Sequence, residues 1–326
     1  MTRYLIQRVA ALIGILFVIS VGCFYLVHLI PGNPAITILG PAAANPSSIA
    51  KIDAELGLNK PIYAQYFVWL GHVFQGNMGK GSVSREPVTS LIARSFKLDI
   101  ELILLSQIMA FLIAIPLAVY SARRSGGLLD QVSTSSTFAL FCLPGFIIVV
   151  WAVKYLTVDW HVFPGVDSDP FSGGGAFLGS AWLGGVWHNI DVLLLPSMVL
   201  ALGSIAIYFR LLRSEMVFTL QEEFITAARS KGLTTNRILW RHAVRPSSIT
   251  TLTSAGNNIA LLITGLFIVE IKFQLPGLGY DLINAIYQND YLTIQGIALV
   301  AAVTVVIANF AIDLVTPLID PRIARA

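Results

Sequence analysis

The stretch VAALIGILFVISVGCFYLVHLI, residues 9–30, contains no Asp, Glu, Lys or Arg and is long enough to cross a lipid bilayer. A spanning helix needs about 20 mainly apolar residues, because a rise of about 1.5 Å per residue must cover about 30 Å of hydrocarbon. Arg3 and Arg8 precede the stretch, as basic residues precede a secretory signal. It is longer than the usual apolar core of a signal, and no small-x-small cleavage site lies close behind it. We therefore expect it to be retained as the first membrane helix.

Five further apolar stretches follow the first one along the chain. They lie at 98–120, 132–153, 191–209, 250–271 and 291–317. The whole chain is 56% hydrophobic and 12% charged, and the charged share is about half of what a soluble domain carries. Because lipid satisfies no backbone group and these stretches do not alternate in polarity, helices are favoured over a β-barrel. The sequence predicts an all-α integral membrane protein with about six transmembrane helices.

Clusters of basic residues predict the orientation of these helices. They precede the first stretch, follow the second, fill the connection between the fourth and fifth, and close the chain. Basic residues mark cytoplasmic connections, so we expect both termini in the cytoplasm. The net charge of +3 therefore indicates membrane orientation rather than nucleic-acid binding. We expect a cytoplasmic N-terminus and first helix in 1–30, an extracytoplasmic segment in 31–97, and a five-helix core in 98–326.

Two outer segments carry local signals. Aromatic and aliphatic residues recur at helical spacing in 63–74, as in Tyr63, Tyr66, Phe67 and Leu70. This pattern predicts an amphipathic helix that lies on the membrane or on neighbouring helices. The glycine-rich stretch at 167–175 predicts a flexible loop.

The sequence offers no arrangement of residues that is typical of an enzyme. The stretch from Gly76 to Ser82 resembles a phosphate-binding loop but lacks its Gly-Lys-Ser/Thr ending. The five histidines are scattered without the spacing of metal ligands. We therefore predict no catalytic residue, no metal site and no cofactor bound by this chain.

The inward connection at 210–248 is the most informative part of the chain. Residues after Glu222 can form a helix in which Phe224, Ala227, Ala228 and Lys231 share a face. Gly232 then lies where a left-handed residue commonly ends a helix, and Thr234 or Thr235 can cap a second helix. The sequence predicts a helix-turn-helix that projects into the cytoplasm. An amphipathic loop resting on lipid headgroups fits these residues equally well.

Four of these residues resemble the coupling motif of ATP-binding-cassette (ABC) importer permeases. That motif has an acid, paired alanines and a glycine four residues after the second alanine, and here these are Glu223, Ala227, Ala228 and Gly232. Further landmarks resemble the dipeptide and oligopeptide permease family, in order along nearly the whole chain. They are Ile30-Pro-Gly-Asn-Pro34, Leu56-Gly-Leu-Asn-Lys-Pro61 with Gln65-Tyr66, Arg210-x-x-Arg213, Glu270-x-x-Phe273-x-x-Pro276-Gly-Leu-Gly279 and Asp320-Pro-Arg322.

The chain departs from the family pattern just after the coupling motif. Relatives commonly read Arg-Asn followed four residues later by Pro, whereas this chain has Arg245-Pro246 and then Thr250. Proline removes a backbone donor, so we expect the break in the fifth membrane helix to lie nearer to the coupling loop.

Polar residues inside apolar stretches are candidates for the translocation path, because burying them in lipid is costly. We single out Gln107, Ser254, Asn257 and Asn258. Hydrogen bonding between helices is the alternative role for each of them. By resemblance, the outer gate or periphery would include Glu270, Phe273, Pro276, Gly277 and Gly279.

The resemblance implies a type I ABC importer fold and a pore-forming permease subunit for short peptides, in a prokaryotic inner or plasma membrane. Import of glutathione or nickel complexes is the alternative within this class. A membrane-embedded enzyme acting on lipid or peptide is the alternative from another class, and it requires catalytic groups at one depth. The implied partners are a homologous second permease, two ATPases that bind ATP and Mg, an extracytoplasmic solute-binding protein and the lipid bilayer.

Overall fold

The computed structural model describes residues 2–28, 45–47, 60–82, 85–163 and 185–319. The motifs at 30–34 and 320–322, most of 56–61 and the glycine-rich stretch at 167–175 lie outside these ranges. The described residues form helices joined by turns, with one isolated antiparallel bridge between Lys80 and Pro87.

Eleven α-helices and two π-helical stretches are present in the described part of the chain. They are α1 Thr2–His28, α2 Ile62–Phe74, α3 Val88–Arg123, α4 Leu128–Cys142, α5 Gly145–Trp151, a π-helical stretch Ala152–Asp159, α6 Gly185–Thr219, α7 Glu223–Ser230, α8 Thr235–Arg237, a second π-helical stretch Ile238–Ala243, α9 Val244–Phe273, α10 Leu278–Tyr287 and α11 Tyr291–Ile319. The helix predicted at 63–74 is therefore confirmed as α2.

The helices confirm the prediction of an all-α membrane protein with about six spans. Five described segments are long and apolar enough to cross a bilayer: Arg8–Tyr25, Val88–Arg123, Val192–Thr219, Thr235–Phe273 and Tyr291–Ala311. A sixth span results if the bent pair Leu128–Cys142 and Gly145–Asp159 is counted as one.

The third apolar stretch, at 132–153, does not form one straight helix. The helix axis bends by 97° between the two halves of this pair. Leu143 at the break has an extended backbone, with ψ 127°. Pro144 follows it, and a proline disfavours the helical conformation of the residue before it.

A break in the fifth membrane helix was expected near Pro246, but the helix is continuous there. Helix continues from Thr235 to Phe273, and Pro246 lies in the first turn of α9. The π-helical stretch Ile238–Ala243 immediately precedes α9. The irregularity thus lies next to the coupling loop, as expected, but the helix is not broken there.

The chain forms two compact units. The first unit comprises Met1–Asp99 with Pro276–Ile307, and the second comprises Ile100–Leu275 with Ala308–Ala326.

Two carboxylates, one of them buried, organise the turns of the first unit. Asp290 precedes α11, where its Oδ1 accepts a hydrogen bond from the Thr293 N–H at 3.3 Å and its Oδ2 accepts one from the Ser82 N–H at 2.9 Å. The Ser95 hydroxyl donates to Asp281 Oδ2 at 2.5 Å. Burial raises the pKa of the Asp281 carboxyl above its ordinary value, and the hydrogen bond from Ser95 opposes that shift. These carboxylates tie together segments that are far apart in sequence.

A stripe of alanines lies in the core of the second unit. Ala110, Ala114, Ala118 and Ala122 recur every four residues along α3, and all four are buried. Residues four apart share one helix face, and small residues let membrane helices approach closely. The same apolar cluster includes Tyr208, Phe209 and Leu212 of α6, Ile225 of α7 and Ala255 of α9. The stripe therefore belongs to a core that also includes the helix of the coupling motif.

Candidate functional site

The coupling motif lies on α7 and on the turn that ends it. Gly232 has a positive φ of 75°, which confirms the prediction of a left-handed residue there. Its N–H donates to the Arg229 carbonyl at 2.9 Å, and the Leu233 N–H donates to the Ala228 carbonyl at 3.3 Å. This pair of hydrogen bonds is the Schellman arrangement that satisfies the last carbonyls of a helix. The glycine thus fixes the direction in which the chain leaves α7.

Residues on opposite faces of α7 differ in burial. Ile225 is fully buried in the apolar core of the second unit, and Ala228 is also buried there. Phe224 is 48% exposed, and Ala227 and Lys231 are exposed as well. Of the four residues predicted to share a face, only Ala228 packs inward. Sequence reasoning did not single out Ile225, which is the main contact of α7 with the core.

The second arm of the coupling loop begins after Thr234. Thr234 occupies the N-cap position of α8, but its side chain forms no capping hydrogen bond. Its carbonyl accepts a hydrogen bond from the Ile238 N–H at 3.0 Å. Ile238 and Leu239 are buried in the same core as Ile225. The predicted helix-turn-helix is therefore present, and both of its arms are anchored in the second unit.

An ion pair lies where the α3–α4 turn meets α6. Arg213 donates two hydrogen bonds to Asp130, from Nε to Oδ1 at 2.5 Å and from Nη2 to Oδ2 at 2.6 Å. Ser121 Oγ donates to Oδ1 at 2.6 Å, and the Gly126 N–H donates to Oδ2 at 2.7 Å. Asp130 is only 3% exposed. We define this group as the Asp130 clamp; it fixes the start of α4 to α6 and to the end of α3.

Two of the predicted pathway residues belong to one hydrogen-bonded group. Asn258 Nδ2 donates to Ser204 Oγ at 2.7 Å and to Tyr208 Oη at 3.1 Å. The Tyr208 hydroxyl donates in turn to Gln107 Oε1 at 2.7 Å, and its ring stacks on Phe111 at 5.0 Å. The group connects α3, α6 and α9. Gln107 and Asn258 thus form interhelical hydrogen bonds, which was the alternative role considered for them.

The other two predicted pathway residues are more accessible. Asn257 is exposed and Ser254 is half-buried on α9. Adjacent helical residues point about 100° apart, which explains why Asn258 lies in the core while Asn257 does not. The structure therefore does not bring Ser254 and Asn257 into the hydrogen-bonded group of Asn258.

A mainly apolar cavity of about 290 Å³ adjoins this hydrogen-bonded group. Its lining comes from the bend between α4 and α5, from α6 and from α9, and includes Leu143, Gly203, Ser204, Asn258 and Leu262. Ser204 and Asn258 provide the polar side chains of this lining.

The predicted outer-gate residues surround the end of α9 and the start of α10. Glu270 and Phe273 are buried near the end of α9. The helix ends at Gln274, which has a left-handed conformation with φ 53°, and the Leu275 N–H donates to the Glu270 carbonyl at 3.0 Å.

The remaining three outer-gate residues belong to the first unit. Gly277 is the N-cap of α10, Pro276 is half-buried beside it and Gly279 is buried in the first turn. The N–H of the intervening residue, Leu278, donates to Asp99 Oδ1 at 3.3 Å.

Two models of known protein families together match almost the entire chain. A family model described as "Binding-protein-dependent transport system inner membrane component" matches residues 114–325. A second, described as "Binding-prot-dependent transport system membrane comp, N-term", matches residues 1–101.

Individual relatives match over the same extent. The dipeptide transport system permease protein DppB of Escherichia coli (strain K12) is 30% identical over 336 residues, covering 99% of each chain. The oligopeptide transport system permease protein AppB of Bacillus subtilis (strain 168) is 32% identical over 324 residues, with the same coverage. The dipeptide transport system permease protein DppB of Lactococcus lactis subsp. cremoris (strain MG1363) is 29% identical over 324 residues, again covering 99% of each chain. The chain is a multi-pass membrane protein and belongs to the family of binding-protein-dependent transport system inner membrane components, which are transport subunits and not enzymes.

Proposed function

We propose that this chain is the pore-forming permease subunit of an ATP-driven importer of short peptides. The observation that carries the proposal is its match, over 99% of its length, to relatives named as dipeptide and oligopeptide permeases. The intact coupling motif, with Gly232 in the required conformation, supports the same function. No relative named above is a glutathione or nickel permease, so peptides are the favoured solute.

The exposed face of α7 is the proposed docking surface for an ATPase. Phe224 and Ala227 offer apolar area there, and Glu223 lies in the first turn, where an acid is favoured by the helix dipole. On the opposite face Ile225 is fully buried, and burying such a side chain stabilises by about 1.5–3 kcal/mol. A displacement of α7 by an ATPase would therefore pull on the core that contains α3, α6 and α9.

We place the translocation path beside α9, on the face that carries Ser254 and Asn257. Their exposure supports this assignment. Gln107 and Asn258 then hold the helices that line the path, through Tyr208. Glu270, Phe273, Pro276, Gly277 and Gly279 form the proposed outer gate or periphery.

The proposed complex contains two permeases, two ATPases and one solute-binding protein. Membership of the family implies partner ATPases and a solute-binding protein. A homologous second permease would complete the pore on the side of α9 that exposes Asn257. ATP and Mg bind in the ATPases, which use hydrolysis to reset the pore.

Cysteine labelling tests the orientation on which the coupling surface depends. With Cys23 and Cys142 replaced, Ser125→Cys and Ser230→Cys are expected to react with a membrane-impermeant maleimide only in inverted vesicles. Ser172→Cys is expected to react in intact cells, because the distribution of basic residues in the sequence predicts that its segment lies outside. Labelling of Ser230→Cys from outside intact cells would overturn both the topology and the docking surface.

Reconstitution tests the proposed transport activity. The chain, co-purified with its ATPases and second permease in proteoliposomes, is expected to take up a labelled dipeptide only with ATP and the solute-binding protein present. Unlabelled peptides are expected to compete, and reduced glutathione and a nickel chelate are not. ATP hydrolysis is expected to be absent from the isolated chain. Uptake of glutathione or nickel alone would reassign the solute, and hydrolysis by the isolated chain would contradict the subunit assignment.

A further inference from the structure

Helix α2 carries no Asp, Glu, Lys or Arg, although the residues shortly before it include Lys51, Glu55 and Lys60. Its sequence, IYAQYFVWLGHVF, contains five Tyr, Phe or Trp residues, and its other polar side chains, Gln65 and His72, lie towards its two ends. The amide of one of them, Gln65, already donates to the Lys60 carbonyl at 2.8 Å. The helix therefore has little that requires water along its length.

Helix α2 packs directly on α1 through Tyr66, which is 5% exposed. The hydroxyls of Tyr66 and Ser20 are hydrogen-bonded at 2.8 Å. The Tyr66 ring lies edge-on to Phe17 and Phe24, with centroid distances of 6.2 and 5.6 Å. The neighbouring ring of Trp69 also lies 5.6 Å from Phe24. Both helices belong to the first unit.

These contacts fix the depth of α2. Phe17, Ser20 and Phe24 all lie inside the apolar window Arg8–Tyr25 of α1. At about 1.5 Å per residue, Phe17 lies about 12 Å along the helix axis from the end of that window. A side chain of α2 that reaches Phe17 is therefore well within the thickness that α1 spans.

The opposite face of α2 is aromatic and uncovered. Tyr63, Phe67 and Phe74 are 66%, 64% and 83% exposed, and their spacing places them on one side of the helix. The lipid-spanning part of α1 is similarly exposed at Ile13 and Val18. Both α1 and α2 thus expose large apolar side chains.

We propose that α2 is embedded in the bilayer, in the leaflet that surrounds the C-terminal half of α1, and that lipid covers its aromatic face. The helix does not span the membrane; it anchors the segment between α1 and α3 to the lipid. Aromatic side chains suit this position because their rings tolerate both acyl chains and headgroups. The inference depends on α1 being a membrane helix and not on the solute that is transported.

Site-directed spin labelling of the assembled transporter in phosphatidylcholine vesicles tests the proposal. With Cys23 and Cys142 replaced, nitroxides are attached singly at Tyr63→Cys and Phe67→Cys. Gln75→Cys, at the exposed residue that directly follows α2, serves as the matched control, because its φ of −82° suits any side chain. Collision with oxygen, which concentrates in lipid, is expected to exceed collision with a water-soluble nickel complex severalfold at the two helix positions. The opposite order is expected at Gln75→Cys. Dominant nickel collision at both helix positions would show that α2 lies in water, and inaccessibility to both reagents would show that protein covers it. Either result would overturn the proposal.

Discussion

Replacing Arg213 with alanine is expected to destabilise the second unit by about 3 kcal/mol. Removing one partner of a buried ion pair costs about 3–5 kcal/mol, because the remaining charge is left without compensation. The lower end of that range applies here, since the Arg213 side chain is 26% exposed. Ser121 and the Gly126 N–H would still donate to Asp130, but neither carries a charge.

The measurement is the thermal unfolding midpoint of the purified complex. Arg210→Ala is the matched control, because Arg210 lies one turn earlier on α6, is exposed, and has its guanidinium 5.4 Å from the Phe141 ring. An exposed contact of this kind contributes about 0.5–1 kcal/mol. Arg213→Lys should fall between the two, since lysine keeps the charge but loses the two-pronged geometry. Equal midpoints for Arg210→Ala and Arg213→Ala would contradict the prediction, because the ion pair of Arg213 would then contribute no more than the exposed contact of Arg210.

The membrane helices could be predicted from the sequence because their apolar length is a local property. Each span except the third follows directly from a continuous apolar stretch. The third is bent at Leu143 and Pro144, and proline alone does not predict such a bend. Pro116 and Pro196 lie inside α3 and α6 without ending either helix. Whether a proline breaks a membrane helix depends on the neighbouring groups that compensate for its missing donor, and these come from distant parts of the chain.

The coupling motif could be predicted for the same reason, whereas the contacts that support it could not. Gly232 ends α7 through hydrogen bonds to residues a few positions away. The Asp130 clamp, by contrast, joins residues 83 positions apart, and no one-dimensional pattern pairs them. Tyr208 was missed because tyrosine is ordinary in an apolar stretch, and Ile225 was missed because the helix face predicted for α7 did not include it. Gln107 and Asn258 were identified as polar exceptions, but only the structure reveals that Tyr208 connects them.

Replacing Gly232 with valine is expected to abolish most peptide uptake while leaving the protein folded in the membrane. Gly232 has a φ of 75°, and, apart from its own atoms and those of its two chain neighbours, no heavy atom lies within 4 Å of the position that a Cβ would occupy. The free-energy cost of Gly232→Val therefore comes from the left-handed backbone conformation alone. For a β-branched residue this cost exceeds about 1–2 kcal/mol. Since the apolar spans are unchanged, the strain is relieved locally, by loss of the hydrogen bonds that end α7. The exposed face of α7 would then be presented at a different angle to the ATPase.

Gly232→Asn is the matched control, because asparagine tolerates the left-handed conformation far better than valine does. Membrane abundance, co-purification of the ATPases, uptake and ATPase activity are compared for the two variants. We expect normal abundance in both, near-normal uptake in Gly232→Asn, and in Gly232→Val an ATPase activity that no longer depends on the solute-binding protein. A loss of abundance in Gly232→Val alone would mean that the turn is needed for folding rather than for coupling. Normal uptake in Gly232→Val would mean that α7 and α8 form a passive connection, so that ATP hydrolysis must be transmitted to the pore through another surface of this chain.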